Sequence, residues 1–203
     1  MTLAVPPPSE PLLLPGAPLP AMVRAAAALR LPPEVWAALA AHEPTRRRYL
    51  AKVHRREVTK CWYWTGAISD TGHGKLRAGT RAAAADGPDS RVVTAHVYGW
   101  HLIYGSAAVH PRTSAPVIAH RCDEYSCQNP AHWRLDDAAG NLNDYLARRR
   151  HPDGPLADNR GPDGRARAIA AAIRAALREG ADVEAAIWRA SAAGIPGIQP
   201  RLF

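Results

Sequence analysis

Two cysteines and one histidine lie close together in the second half of the 203-residue chain, in the pattern Cys122-x4-Cys127-x4-His132. Thiolates and an imidazole are ligands that zinc takes in tetrahedral protein sites, and an Asn-Pro pair before His132 predicts a turn between them. Cys61 is the remaining cysteine and the predicted fourth ligand. The alternative is a disulfide between Cys122 and Cys127 with Cys61 left free. This disulfide would leave His132 without a role. It would also need an oxidising compartment, and no secretory signal is predicted.

Two more polar residues flank this loop. His120 comes two residues before the first loop cysteine, and Asn141 follows twenty-one residues later in a predicted helix. With the metal ligands, they form an arrangement that resembles the His-Me finger (ββα-metal, HNH-like) nucleases, and within them the zinc-stapled branch that includes the His-Cys box homing endonucleases. The resemblance covers about residues 60–150 and rests on His120, Cys122, Cys127, Asn129, Pro130, His132, Asn141 and the run Cys61-Trp62-Tyr63-Trp64.

The resemblance implies a metal-dependent DNA endonuclease that hydrolyses phosphodiester bonds. His120 is the expected general base, because an imidazole titrates nearest to neutrality. Asn141 is the expected ligand of a catalytic Mg²⁺, an ion that prefers hard oxygen ligands. Zinc on the three cysteines and His132 would be structural, since four protein ligands leave it no open position. The alternative is a zinc-stabilised DNA-binding protein without cleavage activity.

The chain departs from the family pattern at three positions. Where the family commonly places an arginine that contacts the scissile phosphate, the glycine turn is followed by Lys75, and either Lys75 or Arg77 could take that role. The family often has an arginine after the histidine at position 96; here Val97 follows, and His96 is predicted to be a buried core residue. Ala119 stands where many nucleases with this finger have a second metal ligand, although it matches the His-Cys box branch, in which Asn alone holds the ion. Mg²⁺ is therefore expected to bind tightly only with DNA.

The charge balance also predicts a polyanionic partner. The formal net charge is +8 and the sequence pI is about 9.9. A basic excess of this size favours phosphate backbones, which release counterions on binding, so double-stranded DNA is the expected partner. No apolar run approaches the roughly 20 residues that span a bilayer. With three cysteines and no predicted signal peptide, a cytoplasmic location is expected.

Basic residues concentrate between positions 45 and 60, where seven lysines and arginines face one glutamate. A helix is predicted from Pro44 through this segment, with one face carrying the predicted phosphate contacts Arg48, Lys52, Arg55 and Arg56. A merely solvated face is the alternative. At the end of the helix that carries Asn141, Arg148 and Arg149 are predicted to hold the flanking DNA backbone.

The predicted fold class is α+β: a small zinc-bound ββα-metal finger with an antiparallel sheet, flanked by N-terminal and C-terminal helices. Strands are predicted at 61–65, 74–77 and 91–94, and a helix at 95–104. The predicted segments are a disordered Pro-rich lead at 1–20, a basic helical segment at 21–59, the nuclease domain at 60–150, a linker at 151–164, and a helical hairpin with a tail at 165–203.

The C-terminal segment leaves two interpretations open. Its two predicted helices form either a helix-turn-helix or a plain hairpin packed on the core. The last residues, with Gln199, Leu202 and Phe203, resemble the short peptides that insert into the bacterial sliding clamp; a tail packed on its own domain is the alternative.

The oligomeric state is left open by the sequence. The homing endonucleases that the chain resembles form dimers, so a homodimer is one of the alternatives.

Overall fold

The computed structural model describes residues 31–80, 87–105 and 116–196, and these form helices and small antiparallel sheets. The α+β class predicted from the sequence is therefore correct. The described helices are α1 (Pro33–Ala41), α2 (Glu43–Leu50), α3 (Ala95–Tyr104), α4 (Ala138–Arg148), α5 (Gly161–Glu179) and α6 (Val183–Ala192). The described strands are β1 (Val53–His54), β2 (Tyr63–Trp64), β3 (Ala67–Ile68), β4 (Gly74–Ala78), β5 (Arg91–Thr94), β6 (Pro116–His120) and β7 (Trp133–Asp137).

The described strands pair in three antiparallel groups. Strand β1 pairs with β2, β4 lies between β3 and β5, and β6 pairs with β7. Side chains alternate along β4, so that Leu76 is buried while Lys75 and Arg77 lie on the other face. The hairpin of β6 and β7 runs directly into α4, and the loop between its two strands carries three of the predicted zinc ligands.

The main core joins the N-terminal helices to the three-stranded sheet. Trp36 of α1 and Tyr49 of α2 are buried with Trp64, Leu76 and Tyr98. The apolar area of these aromatic side chains supplies much of the burial that the alanine-rich helices alone could not provide. This packing holds β4 and α3 in fixed positions beside the β6–β7 hairpin.

The predicted long basic helix is wrong. Helix α2 ends at Leu50, and the chain then pairs as β1 with β2, where the backbone carbonyl of Lys52 accepts hydrogen bonds from Thr65. Tertiary strand pairing therefore overrides the helical pattern of the charges. Arg48 does not share a helical face with Lys52, Arg55 and Arg56.

These four cations also have contacts within the protein, that of Arg55 being with the Trp62 ring. Arg48 donates to the carbonyls of Arg77 and Gly79, which fastens α2 to the end of β4. Arg56 forms a bidentate pair with Glu184 of α6 at 2.5 and 2.6 Å. Lys52 lies 5.9 Å from the Trp64 ring centroid. Each of these contacts joins two parts of the protein in the absence of DNA.

The C-terminal helices pack against the rest of the protein. Ile169 and Ile173 of α5 and Ile187 of α6 form a second buried cluster with Tyr63 of β2. Helix α5 begins at Gly161, four residues before the predicted start of the hairpin. Asp182 caps α6 by accepting from the backbone N–H of Ala185. The observed arrangement is that of a hairpin packed on the core.

A buried ion network connects this hairpin to the loop after β6. Arg165 donates to Glu124 at 2.8 Å and to Asp158 at 3.2 Å, and also to the carbonyl of Ser191. All three charged side chains are almost completely buried. The predicted linker is therefore partly built into the fold, because Asp158 belongs to this network.

Several sequence predictions lie outside the described residues. They are the Pro-rich lead, the first part of the predicted basic helical segment (21–30), and the tail with Gln199, Leu202 and Phe203. Among the described helices, none combines the length and apolar character needed to span a bilayer.

Candidate metal centre and histidine cleft

Four side chains from two distant parts of the chain converge as the sequence predicts. The metal-binding atoms of Cys61, Cys122, Cys127 and His132 all lie within 4.8 Å of one another. His132 Nδ1 is 3.5 Å from the Cys61 sulfur and 3.6 Å from the Cys127 sulfur. With Zn–S near 2.3 Å and Zn–N near 2.0–2.1 Å, sulfur and nitrogen in a tetrahedral site stand about 3.6 Å apart. All three cysteines are unpaired, so the disulfide alternative is wrong.

The thiols of this cluster already favour one negative charge. Hydrogen bonds with Cys127 and Cys61 lower the pKa of Cys122, while hydrogen bonds with Cys122 and Cys127, followed by burial, raise the pKa of Cys61. A thiolate is the form that binds metal. The residues present therefore fit a zinc ion by geometry and by donor chemistry.

Asn129 joins the two parts of the chain that supply the ligands. Its side-chain amide donates to the carbonyls of Val58 and Lys60 at 2.7 Å each, just before Cys61. Its carbonyl oxygen accepts from the backbone N–H of Ala131, in the 3₁₀ turn Pro130–His132. The sequence pattern predicted a turn here, but it gave no sign of these long-range bonds.

His120 and Asn141 are brought to a common cleft by the hairpin and the following helix. His120 is the last residue of β6, opposite Trp133 of β7. Helix α4 starts directly after β7, with Asp137 accepting from the backbone N–H of Gly140 at its N-terminus. This short connection places Asn141 in the cleft that His120 also lines.

The orientation of the His120 imidazole follows from one hydrogen bond. Nε2 lies 3.0 Å from the carbonyl oxygen of Cys127, which can only accept, so Nε2 carries the proton and Nδ1 keeps its lone pair. The Cys127 carbonyl also accepts from Trp133 Nε1 at 3.2 Å. Burial lowers the pKa of His120, with opposing contributions from Cys122 and from the Cys127 carbonyl.

Two further histidines lie beside His120. Ring centroids are 4.5 Å apart for His96 and His120, 5.2 Å for His73 and His96, and 6.1 Å for His73 and His120. Burial, with a smaller effect from His120, lowers the pKa of His73 to about 3 and also lowers that of His96. His96 is buried as predicted, but its Nδ1 has no hydrogen-bond partner among the residues that the structure describes. Sequence reasoning did not identify His73 at all.

The turn that carries His73 is held by the C-terminal hairpin. Gly72 has φ +82°, and a Cβ there would lie 2.7 Å from the carbonyl oxygen of Pro162 in the first turn of α5. Only glycine allows both this left-handed backbone and this close approach. Pro162 also lines the cleft, so α5 forms part of its wall.

The predicted phosphate-contacting cations occupy different environments. Lys75 is close enough to His73 and His96 to lower the pKa of both, whereas Arg77 is exposed and donates to Ser90. Arg149, the residue directly after α4, is exposed.

Arg148 lines the cleft but is already bound within the protein. It contacts Asp144 at 3.1 Å and Asp123 at 3.3 Å, and it donates to the carbonyl of Arg121. In this structure Arg148 thus fastens α4 to the loop after β6. Arg55, the remaining predicted contact, is exposed with its guanidinium carbon 5.4 Å from the Trp62 ring centroid.

In comparisons with known proteins, no protein-family model, no curated protein and no solved structure matches this chain.

Proposed function

We propose that this protein is a metal-dependent DNA endonuclease of the His-Me finger type. One observation carries the proposal: His120 and Asn141 line the same cleft, and three of the four side chains of the zinc-type cluster lie between them in the chain. The order of β6, β7 and α4 supports the proposal, because a ββα-metal finger would need two strands followed by a helix. A protein that only bound DNA would have no need to bring these two side chains together.

His120 is the proposed general base. Its Nε2 is held by the Cys127 carbonyl, so Nδ1 is the nitrogen that accepts a proton from the attacking water. The same hydrogen bond keeps the ring from rotating and stabilises the imidazolium that forms. The base is therefore oriented by the backbone of a residue that is itself a proposed zinc ligand.

Asn141 is the proposed protein ligand of Mg²⁺ through its side-chain carbonyl oxygen. Bound Mg²⁺ supplies Lewis-acid polarisation of the phosphate and stabilises the leaving 3′ oxygen. Mg²⁺ usually keeps several waters and takes further ligands from phosphate, so a single amide oxygen is enough once DNA is present.

Zinc on Cys61, Cys122, Cys127 and His132 is proposed to be structural. Four protein ligands would leave it no open position for substrate. It would link the segment before β2 to the loop after β6 and so fix the carbonyl of Cys127. Three free thiols in one protein suit a reducing compartment, which supports a cytoplasmic location.

Double-stranded DNA is the proposed substrate. The net charge of +8 favours a phosphate backbone, and Lys75 and Arg77 stand on the face of β4 opposite the buried Leu76. A small β-sheet of this kind fits the DNA major groove. Lys75 offers a point charge for the scissile phosphate, whereas Arg77 would provide a bidentate fork for a neighbouring one.

Supercoiled plasmid tests the proposal. The zinc-loaded full chain, incubated with Mg²⁺, is expected to convert it to nicked and linear forms. EDTA should stop the reaction, and an excess of Mg²⁺ added back promptly should restart it, which separates loss of Mg²⁺ from slow loss of zinc. A gel-shift assay in Ca²⁺ measures DNA binding in parallel. Binding without any cleavage would favour the zinc-stabilised DNA-binding protein instead.

A further inference from the structure

We propose that His73, His96 and His120 form a second metal site that binds Zn²⁺ or a similar divalent transition-metal ion, and that this ion inhibits the proposed nuclease by occupying its base. The metal site stands on geometry alone, whereas the inhibitory effect rests on the proposed function. The site is separate from the Cys61, Cys122, Cys127 and His132 cluster.

The three imidazoles are already close to a ligand arrangement. One ring nitrogen from each lies within 4.8 Å of the other two. Nitrogens that share a tetrahedral zinc ion stand about 3.3 Å apart, so the three must approach by at most about 1.5 Å. Rotation of the half-buried His73 side chain supplies part of that movement.

The hydrogen bonds of His96 and His120 leave one lone pair free on each ring. His96 Nε2 lies 3.1 Å from the carbonyl of Ile118, and His120 Nε2 lies 3.0 Å from the carbonyl of Cys127. Because carbonyls only accept, both Nε2 atoms carry protons and both Nδ1 atoms do not. The Nδ1 of His96 is buried and has no partner within the described residues.

Two hydroxyl groups determine which ring nitrogen of His73 carries the proton. Ser69 Oγ donates to the carbonyl of His73 at 3.1 Å, so it accepts from Thr71 Oγ1 at 2.9 Å. Thr71 Oγ1 has then used its proton and must accept from His73 Nδ1, also at 2.9 Å. The lone pair of His73 is therefore on Nε2.

All three rings thus carry a proton on the hydrogen-bonded nitrogen and a lone pair on the other. Metal-bound histidines almost always show this pattern, in which the second ring nitrogen donates to a carbonyl or another acceptor. A set of three neutral imidazoles suits Zn²⁺, Co²⁺, Ni²⁺ or Cu²⁺, whereas Mg²⁺ prefers oxygen ligands. The three residues also line the open cleft, which leaves room for a water as fourth ligand.

The second ion and the proposed base compete for the same electron pair. His120 Nδ1 is the nitrogen that would accept a proton from water, and it is also the nitrogen that would bind the ion. Occupancy of the site therefore removes the base from the reaction. The proposed enzyme would be inhibited by free zinc even though it depends on zinc for its fold.

The site is tested by substitutions at positions 73 and 96. Each keeps the hydrogen bond that the imidazole N–H donates but removes the ring nitrogen whose lone pair would bind the metal ion. Asn at position 73 can donate from its amide where Nδ1 did, and Gln at position 96 can donate where Nε2 did. Zinc per chain is measured after equilibration of the full-length protein in zinc-buffered solution. Wild type is expected to bind a second equivalent that both His73→Asn and His96→Gln lose, while His54→Gln, in β1 and outside both clusters, keeps it. A single equivalent in wild type, or two in both cluster variants, would overturn the site.

The inhibitory effect is tested separately on supercoiled plasmid at constant Mg²⁺. Rising free zinc is expected to stop cleavage by wild type, and His73→Asn should need at least about tenfold more zinc for the same relative loss, because it removes one of three ligands. Equal inhibition of the two proteins would contradict the proposal that zinc inhibits cleavage by binding to this histidine site. If wild type cuts no DNA at all, the proposed nuclease function fails, and the zinc count still decides whether the site exists.

Discussion

His120 Nε2 lies 3.0 Å from the carbonyl oxygen of Cys127. This bond connects the candidate base to the backbone of a candidate zinc ligand seven residues away. It defines which ring nitrogen is free, and it makes the orientation of the imidazole depend on the shape of the metal loop. Zinc would thus affect the proposed chemistry from a distance, without touching the substrate.

Removal of a zinc ligand is expected to unfold the protein. Structural zinc contributes roughly 10–16 kcal/mol in small zinc modules, which is as large as the total stability of about 5–15 kcal/mol typical of a domain. Cys127→Ala should therefore lose zinc and show no cooperative thermal transition by circular dichroism. Wild type treated with a chelator should lose its transition and regain it when zinc is restored. An unchanged melt for Cys127→Ala would contradict the structural role of zinc.

Asn129→Ala should weaken zinc binding although Asn129 is not a ligand. The substitution removes both hydrogen bonds that hold the segment before Cys61, and it also removes the cap of the Pro130–His132 turn. Loss of such supporting contacts typically lowers metal affinity about 10–100-fold. Competition with a chromophoric chelator measures the change, and Asn159→Ala, an exposed asparagine, is the control. Equal affinities for the two variants would show that Asn129 has no such role.

Lys75→Ala is expected to reduce cleavage more than Arg77→Ala. Lys75 lies near the histidine cluster, while Arg77 is exposed and bonded to Ser90. Loss of a group that stabilises transition-state charge costs on the order of 10²–10³ in rate. Initial rates on plasmid at saturating protein give the comparison, with DNA affinity measured separately. A larger rate loss for Arg77→Ala would assign the phosphate contact to Arg77 instead.

Arg165→Met should destabilise the protein by about 3–5 kcal/mol, because it leaves the buried carboxylates of Glu124 and Asp158 without their shared partner. Urea denaturation measures the change. Arg178→Met, an exposed position on the same helix, should change the free energy of unfolding by less than about 0.5 kcal/mol. Similar values for both variants would mean that the network adds little to stability.

Residue spacing alone was sufficient to predict the zinc-type cluster. Three ligands come from one short loop, so local geometry restricts them strongly, and Cys61 is the only cysteine left. The strands at 74–77 and 91–94 and the helix at 95–104 were also predicted, because their alternating or apolar patterns agree with how they are buried.

Features that depend on long-range contacts were not predictable from the sequence. The charges after Leu50 follow a helical period, yet pairing of β1 with β2 decides the local structure. His73 reaches His120 only through the tertiary fold. Likewise, the bond between Arg165 and Glu124 joins residues 41 positions apart, so it is invisible to any local pattern.

The most direct test of the proposed nuclease is the rate of Mg²⁺-dependent plasmid nicking by His120→Gln relative to wild type. Gln can still donate to the Cys127 carbonyl, so the variant is expected to melt at the wild-type temperature and to bind DNA equally well. Without the Nδ1 lone pair, its rate should fall about 10²–10⁴-fold, the usual contribution of a general base. A folded His120→Gln protein that nicks plasmid at the wild-type rate would contradict the assignment of His120 and, with it, the proposed mechanism.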